Sequence, residues 1–194
     1  MPRILQGYRE EVRKKIVEAA HSLFLSKGYH GTTMGEIAKR LGVTKPALYQ
    51  YFPGKEDLYA AVAEYGREKL ADILERSFEK GDLQNGSAML FESLVHYVPQ
   101  FNGMYSELML LAAHNDRIRE LLVRDRMDDL RVIERFITRQ QKKGLISDNL
   151  NPRNLAITCD ALINGLLMDI MMGMDKEEAK DIWMNAVMRL VQTD

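Results

Sequence analysis

Between residues 44 and 55 the chain reads Thr44-Lys45-Pro46-Ala47-Leu48-Tyr49-Gln50-Tyr51-Phe52-Pro53-Gly54-Lys55, a cluster of side chains suited to nucleic acid. Lysine binds phosphate or guanine, glutamine pairs with adenine through two hydrogen bonds, and an alanine methyl can touch a thymine methyl. Tyrosine hydroxyls suit phosphate oxygens. A surface tyrosine is ordinarily idle, but two in so short a segment, with lysine on both sides, favour contact with DNA. Other chemistry finds little support. The four histidines, His21, His30, His96 and His114, lack metal-site spacing, and no HExxH, GxSxG, phosphate-binding loop or dinucleotide fingerprint occurs. His96 fits a solvated face, and His114 fits a helix C-terminus. The single cysteine, Cys159, lies on an apolar row, where a buried inert thiol is the default. No catalytic residue, metal or cofactor is expected.

The elements that must position this cluster are helical. Apolar residues recur at helical spacing from end to end, without an alternating strand pattern or a repeat. Breaks near Gly28–Thr33, Gly42–Thr44, Phe52–Gly54, Gly81–Ser87, Phe101–Gly103, His114–Asp116, Gly144–Pro152 and Gly173–Asp175 divide the chain into about nine helices. Thr33 and Glu36 form a capping-box pattern before a short helix that Gly42 ends. Thr44 caps the next helix, and Pro46 sits in its first turn, where a missing N–H costs nothing. Two short helices around a tight turn make a helix-turn-helix. Leu48 and Phe52, at i and i+4, would anchor the second helix inward, and Val43 would plug the turn. Lys45, Ala47, Tyr49, Gln50 and Tyr51 then face out. The expected architecture is all-α: a three-helix DNA-binding domain over 1–54 and a helical body over 55–194.

Charge divides the chain in a similar way. The net charge is −1, yet residues 1–57 carry ten Lys and Arg against six Asp and Glu, and the remainder carries 17 against 22. A basic head and an acidic body suggest two jobs, with the head meeting a polyanion. The N-terminus lacks an apolar signal core, and Ala161–Met174, interrupted by Asn164 and Asp169, reads as too short to span a bilayer. A cytoplasmic protein without a membrane partner is expected.

The run Gly28-Tyr29-His30-Gly31-Thr32-Thr33-Met34-Gly35-Glu36-Ile37-Ala38, followed by Leu41-Gly42-Val43-Thr44 and the segment to Leu58, resembles the signature of TetR-family regulators. It fills most of the first third of the chain, and the rest matches only in architecture. The resemblance implies a role for each matching position. Thr33 would cap its helix and touch a phosphate. Thr44 and Lys45 would open the recognition helix, Tyr49 and Tyr51 would hold the DNA backbone, and Lys55 would reach a phosphate. Tyr51 stands where the family often has histidine, and Pro46 where it has a small residue, so the operator read may differ from other members'.

The body carries more apolar face than one core needs. Ala179, Ile182, Trp183, Ala186, Val187, Leu190 and Val191 form one stripe, flanked by Met184 and Met188. In the preceding helix Leu155, Cys159, Leu162, Leu166 and Ile170 form one row, and Ile163, Leu167, Met171 and Met174 another. Such surplus implies a partner. The resemblance implies the same, a homodimer paired through these two helices, with Ile163, Leu167, Met171, Trp183, Val187 and Met188 at the interface. The bland alternative is a large monomeric core. The resemblance also implies an effector cavity in the body. Leu94, Tyr97, Phe101, Met104, Leu108 and Met109 are its expected lining, for a mostly apolar small molecule. The reading that follows is a ligand-responsive repressor that releases its DNA operator. A helical enzyme or carrier that keeps only the fold, and an architectural DNA binder without a ligand, are the competing classes.

Overall fold

The computed structural model describes the backbone of residues 3–191, and the side chains of residues 7–96 and 104–191. Among the described residues there are eight helices and no strand: α1 (Arg3–Lys27), α2 (Met34–Leu41), α3 (Lys45–Tyr49), α4 (Lys55–Ser77), α5 (Leu83–Ala112), α6 (Asp116–Lys142), α7 (Pro152–Met171) and α8 (Lys176–Val191). The expected break at Phe101–Gly103 does not form, and α5 runs through it. A single helical glycine lowers helix propensity by only about 1 kcal/mol. Well-packed apolar residues on both sides, Val95 and Met104 among them, offset that cost.

Two compact units result. The first comprises Met1–Gly66 and Gln100–Asp125, and the second comprises Arg67–Pro99 and Arg126–Asp194. The sequence boundary at residue 54 therefore lies inside the first unit.

In the first unit, α1 presents Ile16, Val17, Ala20, Leu23 and Phe24 to a core shared with Ile37, Ala38, Leu48, Phe52, Leu58 and Val62. Met104, Leu108 and Ala112 of α5, with Ile118 and Leu122 of α6, complete it. These last five lie far along the sequence. The head needs them because α1 and two short helices bury too little apolar surface alone.

In the second unit, Leu74 of α4 and Phe78 just after it pack with Leu90, Phe91 and Val95 of α5 and with Phe136 and Ile137 of α6. Leu155, Ile163 and Leu166 of α7 and Trp183, Val187 and Val191 of α8 close the core. Gly86 is needed here, since a Cβ at its position would fall 2.3 Å from the Phe78 ring. The Trp183 indole N–H donates to the Ser87 carbonyl at 3.1 Å, tying α8 to the start of α5. As a whole, α7 is long and apolar enough to cross a membrane, which the shorter stretch considered above is not. Five of its residues, Leu155, Ala156, Asp160, Ile163 and Leu166, are buried in the second unit, and Asp160 pairs there with Arg126.

Candidate nucleic-acid interface and body cavity

The head is set by local chemistry. Gly28 adopts φ 76° and ends α1, with its N–H on the Phe24 carbonyl at 2.9 Å. Thr33 caps α2 in a complete capping box. The Glu36 N–H donates to the Thr33 hydroxyl at 3.2 Å, and the Thr33 N–H donates to the Glu36 carboxylate at 3.0 Å. Lys27 also reaches Glu36 at 2.7 Å. The Lys27 hydrogen bond and those from Thr33 hold the Glu36 carboxyl below its usual range. Gly42, at φ 68°, ends α2, and the Val43 N–H bonds back to the Ala38 carbonyl at 3.0 Å. The Val43 side chain does not plug the turn, because it is 43% exposed. The backbone bond closes the turn instead, as in other helix ends with a left-handed glycine.

Thr44 caps α3 by accepting the Ala47 N–H at 3.4 Å. The helix is only five residues long, so it owes its position to Leu48 and Phe52, both buried. That anchoring leaves Thr44, Lys45, Tyr49 and Gln50 exposed, with Ala47 and Tyr51 half-buried. The Lys45 ammonium lies 5.8 Å from the Tyr49 ring centroid, a cation–π pair one helical turn apart. Two arginines of α1, unremarked in the sequence, join this side. Arg9 stands 5.8 Å from the Tyr51 ring and Arg13 4.9 Å from the Phe52 ring. Their i, i+4 spacing was the available signal, but only the fold puts them beside α3.

Lys55 departs from the expected outward reach. Its ammonium donates to the Tyr29 carbonyl at 2.8 Å and to the Thr32 carbonyl at 3.0 Å, and lies 4.2 Å from the Tyr29 ring centroid. Burial lowers its pKa, against the opposing pull of Glu107 and Glu56. Two of its three donors are thus used inside the protein.

Of the six residues expected to line one effector cavity, the four whose side chains are described do not come together. Met104 and Leu108 are buried in the first unit's core, Met109 is exposed, and Leu94 packs against the second unit's core. The side chains of Tyr97 and Phe101 lie outside the described residues. The reason is that α5 runs unbroken from Leu83 to Ala112 and gives Leu94 to one core and Met104 and Leu108 to the other. The second unit holds a different cavity, of about 60 Å³, lined by Leu74, Phe78, Leu83, Ser87, Leu90, Ile133, Phe136, Ile137, Ile146, Leu155, Cys159, Trp183, Val187 and Val191. Burial, with Asp160 beside it, pushes the Cys159 thiol up to about 11. On α6, Gln140 continues the Ile133, Phe136 and Ile137 stripe. It is 1% exposed, and its side-chain oxygen has no hydrogen-bond partner.

The expected dimer residues also separate. Ile163, Trp183 and Val187 are core residues of their own unit, Leu167 and Met188 are half-buried, and Met171 is exposed. Both faces of α7 are apolar, and packing took the 155–156–163–166 side inward. The exposed side carries Ile157, Met168, Met171 and Met172, and α8 adds Ile182. A Cβ on Gly165 would meet nothing within 4 Å.

Residues 16–62 match the family of bacterial regulatory proteins described as the tetR family. The head thus carries the TetR-family helix-turn-helix segment. Over 56 residues it is 48% identical to the transcriptional activator FasR of Mycolicibacterium smegmatis, covering 29% of this chain and 26% of FasR. The first four curated relatives are matched over 25–44% of their own length. UidR of Escherichia coli K12 is 24% identical over 179 residues, covering 92% of this chain and 87% of UidR. A TetR-family regulator from Rhodococcus sp. superposes with a TM-score of 0.74 at 22% identity, covering 94% of this chain and all of that one. The TetR-family likeness is thus highest in sequence over the head, and over the body it is a likeness of fold.

Proposed function

We propose that this protein is a homodimeric repressor of the TetR family that binds a specific DNA operator and releases it on binding a mostly apolar small molecule. Residues 1–54 are the reading head, and residues 55–194 hold the effector and the second subunit. The observation that carries the reading is the exposed row Thr44, Lys45, Tyr49 and Gln50 on a helix pinned from behind by Leu48 and Phe52. A short helix with a buried anchor and a polar outer face is what the major groove admits. Thr33 offers the N-terminus of α2 to phosphate. Tyr51 and the neighbouring Arg9 extend the positive rim.

The apolar cavity supports an effector of matching character. At about 60 Å³ it falls below the roughly 300–1,000 Å³ of ligand pockets, so binding requires its walls to move. That movement gives the effector its differential affinity for two arrangements, which is the only means by which it can shift them. The exposed apolar side of α7, with the open Gly165, supports pairing with a second copy, and a two-fold dimer suits two half-sites about 34–36 Å apart.

The test is selection of duplexes from a random-sequence pool by the purified protein, followed by titration at several salt concentrations. Salt-resistant preference for a palindromic sequence, lost in Lys45→Ala and Tyr49→Ala without loss of helicity, is expected. Equal, salt-sensitive binding to all duplexes would favour the architectural reading instead. A promoter–reporter assay with the selected site decides the sign of regulation, and increased transcription on adding the protein would replace repressor by activator. Sedimentation of the free protein as a monomer would remove the dimer.

A further inference from the structure

The loop between α1 and α2 is held by charges from two distant helices of the same unit. Lys55 of α4 places its cation on two loop carbonyls, those of Tyr29 and Thr32. Glu107 of α5 places its anion on a loop N–H: the His30 amide donates to its carboxylate at 2.9 Å. The second Glu107 oxygen sits so close to Gly28 that a Cβ there would fall 2.6 Å from it. Gly28 is required for its left-handed backbone, and its lack of a Cβ leaves room for Glu107 in this position. Cation on carbonyls and anion on N–H is the arrangement the peptide dipoles favour, and hydrogen bonds to charged groups are about twice as strong as neutral ones. Inside the loop, the buried Thr32 hydroxyl donates to the Gly28 carbonyl at 2.9 Å. The loop ends at Thr33, the cap of α2, and α2 carries α3 through the Val43–Ala38 bond.

We propose that Glu107 is a positioning residue for DNA binding, which with Lys55 clamps the Gly28–Thr32 loop and so fixes where α2 and α3 present their outer faces. This rests on the DNA-binding reading above. Glu107 touches no DNA in this scheme, and Lys55 acts through the loop rather than on a phosphate. Because α5 supplies the anion, any shift of α5 is felt at the cap of α2.

The probe is a duplex selected by the unaltered protein, titrated against Glu107→Ala, Glu107→Gln and Lys55→Met across a salt series, with helicity and Tm recorded alongside. The expected result is about tenfold weaker binding for Glu107→Ala and for Lys55→Met, with the slope of log Kd on log salt unchanged. Recovery of most of the affinity is expected in Glu107→Gln, which keeps an acceptor for the His30 amide. A Lys55→Met slope lower by about one unit would mean a direct phosphate contact and would overturn the clamp. Unchanged affinity in Glu107→Ala would overturn it too. Hydrogen exchange at the His30 amide supplies a readout without DNA: it should accelerate at least tenfold in Glu107→Ala and little in Glu107→Gln, and equal rates in all variants count against the clamp. If the unaltered protein selects no duplex, the DNA-binding reading fails, while the His30 exchange rates still decide whether the clamp exists.

Discussion

The two units of this protein are built by different means. The first is specified by polar and backbone devices at fixed positions: a capping box at Thr33 and Glu36, left-handed glycines at 28 and 42, a cap at Thr44, and Lys55 and Glu107 on a five-residue loop. The second is specified by apolar volume, Trp183 being one of the few core side chains tied by a directional bond. A reading surface must hold a few side chains in one geometry, so it needs directional bonds. On the proposed reading the second unit opens for a ligand, which needs walls that can repack, and hydrophobic contacts of similar volume exchange at small cost. The same contrast explains why likeness to relatives is highest over the head and falls to a likeness of fold in the body.

The sharpest way to break the comparison is to remove the exception. Trp183→Ala should cost about 3–5 kcal/mol, since it deletes a buried indole and its hydrogen bond to the Ser87 carbonyl. Urea unfolding measures this, and a loss under 1 kcal/mol would mean that the second unit repacks even around this anchor.

Gln140→Leu tests the opposite expectation, that a polar group can be a liability in the apolar unit. Its buried, unpartnered oxygen predicts a gain of about 1–3 kcal/mol in the urea-derived stability. If the free oxygen serves a hydrogen-bond donor on the effector, the same variant loses effector response while gaining stability. Destabilisation would show that Gln140 does structural work in the free protein.

In the first unit, Thr33→Ala should cost about 0.5–2 kcal/mol through the lost cap. It should weaken DNA binding beyond what the stability change explains, and a purely proportional loss would make the cap structural only.

The smallest effect concerns Cys159. With its thiol pushed up to about 11, thiolate is scarce at neutral pH, and alkylation should be slow in the folded protein and fast in urea. The native rate should climb tenfold for each pH unit up to that value. A plateau near pH 8 would indicate a wall looser than the packing implies.

The head was largely legible in the sequence because its signals are local. Capping residues, helix-ending glycines and the Leu48–Phe52 spacing act within three or four residues, so the chain states them outright, and α2 and α3 follow. Ranking the faces of α7 was a different problem. Both are apolar, and only the packing against α4, α5, α6 and α8 decided that Ile163 turns inward and Met168 outward. The pocket residues on α5 fell apart because the Phe101–Gly103 break was absorbed into one helix, which carried Leu94 and Met104 into separate cores.

The sequence by itself determined the helical class, the helix-turn-helix and its caps, set by short-range backbone geometry, and the exposed Thr44, Lys45, Tyr49 and Gln50, set by the spacing of Leu48 and Phe52. Tertiary structure alone decided the partners of Lys55, the role of Glu107 and the walls of the cavity. Each of these joins residues tens of positions apart, and a chain does not record which of its distant neighbours will share a core until the cores have formed.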